Sequence, residues 1–236
     1  MTALQVLTYF VWLIASLTFI LALKFLASPA TARRGNQLGA AGMMLVIAWT
    51  FFTTDGMLAN WWIIVVGGAI GAVAGWLGAK RVPMTAMPQM VAIFNGAGGG
   101  AAAVVAVAEF LEFAGHGPGL LPLPFIIATL LGAVIGSVAL TGSVVAFGKL
   151  QGIVTARPYM LPGQRIITGA LFMALVGLGV YLTAVENSVA LFLLFCVLAL
   201  VTGVVLTMPI GGADMPVVVS LLNSYTGIAV AATGFV

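Results

Sequence analysis

Met87–Glu109 reads MPQMVAIFNGAGGGAAAVVAVAE, and Met215–Val236 reads MPVVVSLLNSYTGIAVAATGFV. Laid over each other at an offset of 128 residues, both open on Met-Pro. They also share Val91 with Val219, Asn95 with Asn223, Gly99 with Gly227, Ala101 with Ala229 and Ala103 with Ala231. Each reads as a helix opened by proline, whose missing N–H costs nothing at a helix start. Each carries one asparagine seven residues on, roughly 10 Å deeper at 1.5 Å per residue. An amide inside an apolar slab is costly unless something hydrogen-bonds it. Two such amides on matched helices point to a polar path through an oily protein. Convergence on common residues is the plainer account of the repeat, since alanine, valine and glycine abound. The shared Met-Pro and the in-register asparagine favour a real relation.

Around these stretches the chain is 63% apolar and 6% charged, with a mean hydropathy of +1.25. That composition excludes a soluble domain of 236 residues and implies a polytopic, all-α membrane bundle. Thirty glycines imply close helix packing, because small residues let backbones approach in lipid. The net charge of +3 is no nucleic-acid footprint; the few basic residues lie between apolar runs and report orientation. A single cysteine, Cys196, excludes a disulfide framework. The first apolar segment lacks a basic leader and a clear cleavage site, so it reads as a spanning helix.

Eight segments are long enough to span: Leu4–Leu26, Leu38–Phe52, Trp61–Ala79, Met87–Phe113, Leu123–Phe147, Ile166–Ala184, Val189–Thr207 and Met215–Val236. The second is the shortest. Lys24, Arg33 and Arg34 follow the first; Lys80 and Arg81 follow the third; Lys149, Arg157 and Arg165 surround the loop after the fifth. All eight basic residues thus fall on one side. By the positive-inside rule that side is cytoplasmic and the N-terminus lies outside. Asp55, Glu112 and Glu186 fall in or beside the other loops, with Glu109 one turn before that surface. The sequence ends at the outer end of the eighth segment, so a ninth helix is expected to return the chain to the cytoplasm. Both Met-Pro helices then run outward from the cytoplasm, a parallel repeat unlike the inverted ones of many transporters.

Gly67, Gly71 and Gly75, Gly96 and Gly100, and Gly132 and Gly136 are spaced for helix–helix contact. The cluster after Asn95 also leaves room for water beside a buried amide. It is no phosphate loop, for it lacks the preceding strand and the Lys-Ser/Thr ending. Asp214, just before the second Met-Pro, suits a helix N-cap; it equally suits a proton entrance or a docking surface. Asn95 and Asn223 bridge helices or line a path. Ser143 and Thr141, like Ser224, Tyr225 and Thr226, make hydroxyl-rich turns, and such hydroxyls usually bond their own backbone. Glu109 and Glu112 read as an interfacial turn. The lone histidine, His116, falls in a glycine-rich loop outside the slab. One His and one Cys make no protein-only transition-metal site and no Ser-His-Asp arrangement. Trp49, Trp61, Trp62 and Trp76 sit near segment ends, as an interfacial belt would.

Four stretches resemble the membrane domain of the proton-translocating NAD(P) transhydrogenase beta subunit. They are Met87–Phe110, LTGSVVAFGKL at Leu140–Leu150, RPYMLPG at Arg157–Gly163, and GGADMPVVVSLLNSYTGIA at Gly211–Ala229. The resemblance implies that residues 1–236 form a transmembrane proton-channel domain, without a hydride-transfer site and with no cofactor of its own. It places NAD(H) on a partner alpha subunit, which also brings membrane helices, and NADP(H) in a soluble domain after residue 236. It implies a homodimeric complex in a bacterial inner membrane. Some members carry a proton-handling histidine where this sequence has Asn95, a departure that leaves the proton carrier unassigned. Carried over by motif, Asn95, Asn223 and Ser143 are expected to line the proton path, and Asp214 to gate it. Without the resemblance, a stand-alone secondary transporter or channel, or a passive anchor for soluble domains, would suit the same residues.

Overall fold

The computed structural model describes residues 2–53, 60–114 and 121–234; His116 and Asp55 lie outside them. Eight α-helices follow in chain order: α1 (Ala3–Leu26), α2 (Ala32–Thr53), α3 (Trp61–Arg81), α4 (Met87–Ala114), α5 (Leu123–Leu150), α6 (Gln164–Ala184), α7 (Val189–Thr207) and α8 (Met215–Thr233). No strand occurs among the described residues. Closed helical backbones are what a bilayer demands, since each N–H and C=O finds its partner within the segment. Among the described residues, seven helices are long and apolar enough to cross a membrane. The exception is α2, which opens Ala-Arg-Arg-Gly-Asn-Gln and leaves only a short apolar run.

The expected segments are all present, with three changes. α2 begins at Ala32, so Arg33 and Arg34 stand in its first turn and not in a loop. α8 ends at Thr233. Lys149, expected at the edge of the loop after the fifth segment, is inside α5 and buried.

The chain divides into two compact units, Met1–Leu77 and Gly78–Val236. In the first, α1 and α2 form an antiparallel pair. A Cβ on Gly35 would lie 2.8 Å from the Ala22 carbonyl oxygen, so glycine sets that approach. Farther along, Trp49 Nε1 donates to Thr8 Oγ1 at 3.2 Å. α3 buries none of its side chains, and Gly67, Gly71 and Gly75 meet nothing described within 4 Å. The expected helix contact along that glycine face is therefore not made among the described residues.

The second unit is organised around α5. α4 and α8 pack antiparallel to it, α7 runs parallel, and α6 closes on α7. Glycines set these distances. A Cβ on Gly136 would come within 2.6 Å of the Gly99 carbonyl oxygen and 2.8 Å of the Ala103 nitrogen. On the α7 side, a Cβ on Gly203 would strike the Thr141 hydroxyl and lie 2.6 Å from the Val138 carbonyl oxygen. That closeness lets Thr141 Oγ1 donate to the Leu200 carbonyl at 2.8 Å as well as to its own helix. Phe110 and Phe192 stack at 3.9 Å in an apolar cluster with Ile126, Leu182 and Ala199.

Candidate functional site

The repeat extends into structure. A 3-10 turn at Met84–Ala86 leads into α4, and one at Gly212–Asp214 leads into α8. The residues before them, Pro83 and Gly211, share one backbone conformation, φ −67°, ψ 155° and φ −69°, ψ 152°. Met87 N–H bonds the Met84 carbonyl, and Met215 N–H the Gly212 carbonyl. All these positions keep the sequence offset of 128. The two helices also run side by side in one direction. Met87, Pro88 and Val91 share a groove of about 320 Å³ with Pro216, Val219, Ser220 and Asn223. One level deeper, a Cβ on Gly98 would meet Thr226 at 3.5 Å.

The two asparagines nevertheless have different surroundings. Asn95 is 4% exposed, and its Nδ2 donates to Ser143 Oγ at 2.8 Å. Ser143 is fully buried on α5. It serves the amide of the neighbouring helix, where a serine bonded to its own backbone was expected. Asn95 Oδ1 is buried without a partner. An unpaired buried carbonyl oxygen loses its hydration without compensation, which makes it the natural acceptor for a water or a protonated group. Gly96 explains how Ser143 comes so near. A Cβ there would stand 3.2 Å from the Ser143 Cβ. The glycine next to Asn95 therefore brings α5 in close and does not leave the vacant space anticipated for water.

Asn223 stands at about the level of Gly142, since Leu222 packs 3.1 Å from a Cβ built there. It faces outward from α8 and is exposed, opening on the groove beside α4. Asn95 and Ser143 are thus brought together, and Asn223 is not joined to them. Thr226 and Thr207 bond their own helices, as membrane hydroxyls usually do.

Asp214 is exposed and makes no side-chain cap bond. Its φ of −89° and ψ of −7° are helical, whereas a capping residue needs an extended backbone to turn its side chain onto the helix N–H groups. The 3-10 turn displaces the cap function, so the carboxylate is left to solvent.

Two polar residues near that end escaped sequence reasoning. Lys149 is 2% exposed, and its ammonium donates to the carbonyls of Met208 at 2.5 Å and Ile210 at 2.6 Å. Gln89, on α4, donates to the Leu150 carbonyl at 3.3 Å and keeps a buried, unpartnered Oε1. A lysine at the end of an apolar run reads as an orientation signal, which hid the first. The loop after α5 completes the layer. Tyr159 N–H bonds the Met208 carbonyl at 3.1 Å, and Gly212 N–H bonds the Ala156 carbonyl at 2.8 Å. The Arg157–Gly163 stretch is therefore a strap along the turn that carries Asp214. No group of His, Cys, Asp and Glu among the described residues could hold a metal.

The model of the NAD(P) transhydrogenase beta subunit family matches residues 8–236. This chain belongs to that family. Two curated relatives named NAD(P) transhydrogenase subunit beta are each 41% identical over 234 residues; one is from Rhodospirillum rubrum and one from a named strain of that species. The match takes in 97% of this chain and 49% of each relative. The chain thus spans about half the length of the curated relatives it matches. As a beta-subunit segment it is a multi-pass membrane protein, with its polar pair, its outward asparagine and its exposed carboxylate within one helical unit.

Proposed function

We propose that this chain is the membrane domain through which protons cross in a proton-translocating NAD(P) transhydrogenase. Hydride transfer between NAD(H) and NADP(H) takes place in soluble partner domains: NAD(H) on the alpha subunit, and NADP(H) in the part of the beta subunit that this chain does not span. Family membership across residues 8–236 carries the reading. The buried Asn95–Ser143 pair, with its unpartnered oxygen, supports a polar path on α4 and α5.

In this reading Asn95 and Ser143 line the path, Asn223 joins it from α8, and Asp214 gates its cytoplasmic mouth. None of these amides or hydroxyls exchanges a proton near neutral pH, so water or a group from a membrane helix of the alpha subunit carries the proton past them. Asn223, open on its groove, suits an added helix beside α8. The basic ends of α1, α3 and α5 face the cytoplasm and the N-terminus faces outward, by the positive-inside rule. The complex is a homodimer in a bacterial inner membrane. Redox-dependent NADP(H) binding pushes on the Asp214 turn and switches access to the path. Linkage is reciprocal: if nucleotide shifts proton affinity, protons shift nucleotide affinity equally.

The test uses the full-length beta subunit with its partners in sealed liposomes containing a pH dye. NADPH and oxidised NAD are added outside. Hydride transfer with an internal pH change that an uncoupler abolishes is expected. Hydride transfer with no pH change would demote the domain to an anchor. Ion flux without nucleotide would favour a stand-alone transporter.

A further inference from the structure

We propose that Lys149 is a positioning residue, a cationic clasp that fixes the turn bearing Asp214 to the cytoplasmic end of α5. The inference rests on the proton-path reading only for its functional consequence; the clasp itself stands on geometry.

A buried ammonium is costly to desolvate, and a well-packed apolar side chain of similar size often does as well or better. Packing alone therefore does not call for lysine at this place. Among the described residues its partners are two carbonyls and no carboxylate. The electrostatics are still favourable, because two helix ends meet there. Lys149 lies in the last turn of α5, and Met208 caps the C-terminus of α7. Both ends carry the negative pole of a helix dipole. The cation sits between them, with short, charge-assisted bonds on either side of Pro209.

Those bonds hold a particular piece of chain. Met208 and Ile210 lead straight into the 3-10 turn Gly212–Asp214 and so into α8. The next residue of α5 serves the other repeat: the Leu150 carbonyl accepts from Gln89 at the start of α4. Two consecutive residues of α5 thus hold the entries of both Met-Pro helices. Buried Met215, Val219, Ala92 and Ala146 pack just beneath, with Leu150 and Ile210 against them. Ser143 lies six residues back along α5, roughly 9 Å at 1.5 Å per residue. A displacement of the Asp214 turn therefore pulls on the same helix that carries the Asn95 partner.

The test uses the complete complex, with Lys149→Met, which keeps the length and removes charge and donors, and Lys149→Arg, which keeps both. Two quantities are read. The first is amide hydrogen exchange in peptides covering 156–163 and 208–214. Lys149→Met is expected to speed it at least tenfold there and to leave α4 unchanged. The second is the number of protons moved per hydride in liposomes, a ratio that a lower yield of folded protein does not alter. It is expected to fall at least fivefold in Lys149→Met and to recover at least half of its value in Lys149→Arg. Unchanged exchange in Lys149→Met overturns the clasp. Faster exchange with an unchanged ratio overturns its role in coupling. If Lys149→Met prevents assembly, Lys149→Gln, which keeps amide donors without charge, is read by both measures against the same thresholds. A wild-type complex that moves no protons refutes the proton-path reading instead, and the exchange experiment still decides the clasp.

Discussion

Asn95 donates to Ser143 across the α4–α5 contact at 2.8 Å, and its own carbonyl oxygen, equally buried, accepts nothing. The pair is half satisfied. Removing its halves separately should therefore give unequal results. Ser143→Ala strands the Asn95 amide as well and should cost about 1–3 kcal/mol, the penalty of an unmade buried hydrogen bond. Asn95→Leu removes both amide groups at once and should cost less stability, while abolishing proton movement. Thermal melts of the purified complex and pH-dye traces in liposomes check the two halves. Equal melts for both variants would argue that the bond is not formed.

Asn223 should behave in the opposite way. It is exposed on α8 and has no partner to strand among the described residues, so Asn223→Leu should shift chain stability by no more than about 0.5 kcal/mol, as exposed substitutions do. Proton movement should nevertheless fall several-fold if this residue joins the path. Full pumping in Asn223→Leu would remove it from the path.

Asp214→Asn isolates the carboxylate charge. Because no cap bond exists to lose, the melting temperature should stay within a degree or two. Coupled turnover should drop about tenfold, from a barrier raised by about 1.4 kcal/mol. A melt lowered by many degrees with normal coupling would make Asp214 a structural cap after all.

Glycine substitutions should sort by what a Cβ would meet. Gly136→Ala places a methyl group 2.6 Å from the Gly99 carbonyl oxygen. Backbone cannot step aside, so the helices must part, at about 1–3 kcal/mol for overpacking. Gly71→Ala meets nothing described within 4 Å and should leave the beta chain's own stability unchanged or slightly raised, alanine being the better helix former. Melts of the two variants side by side decide this.

Much of the fold was legible in the residues. Apolar runs placed seven of the helices to within a few residues, because a span must be long and oily whatever it packs against; α2 begins six residues before the apolar run that marked it. What the runs could not say is which helix lies at the centre of the second unit. α6 and α5 are nearly equally apolar by composition, yet α6 buries two residues and α5 fifteen. In lipid, a face against protein and a face against acyl chains favour the same side chains, so hydropathy does not separate them. The repeat drew attention to α4 and α8, and the helix that joins them carried no comparable signal. Asn95 and Ser143 were each visible as polar residues in apolar runs, and their pairing needed the antiparallel register of α4 on α5. The difference between Asn95 and Asn223 could not be read, because facing depends on which neighbour each helix has. Lys149 was hidden by its type, since lysine at a helix end usually reaches for water.

The glycine interlock between α4 and α5 has a mechanical meaning. Where Gly99 and Gly136 meet, backbone lies against backbone, and neither helix can turn without a clash that no rotamer change relieves. α8 meets α5 through side chains instead, Leu222 over Gly142 and Thr233 over Gly132, and side chains have more than one resting position. The α4–α5 contact is thus the stiffer of the two, since a small shift at the α8–α5 contact can be met by a change of rotamer. Of two helices with the same entry and the same asparagine, one is locked to α5 by backbone and the other rests on it by side chains.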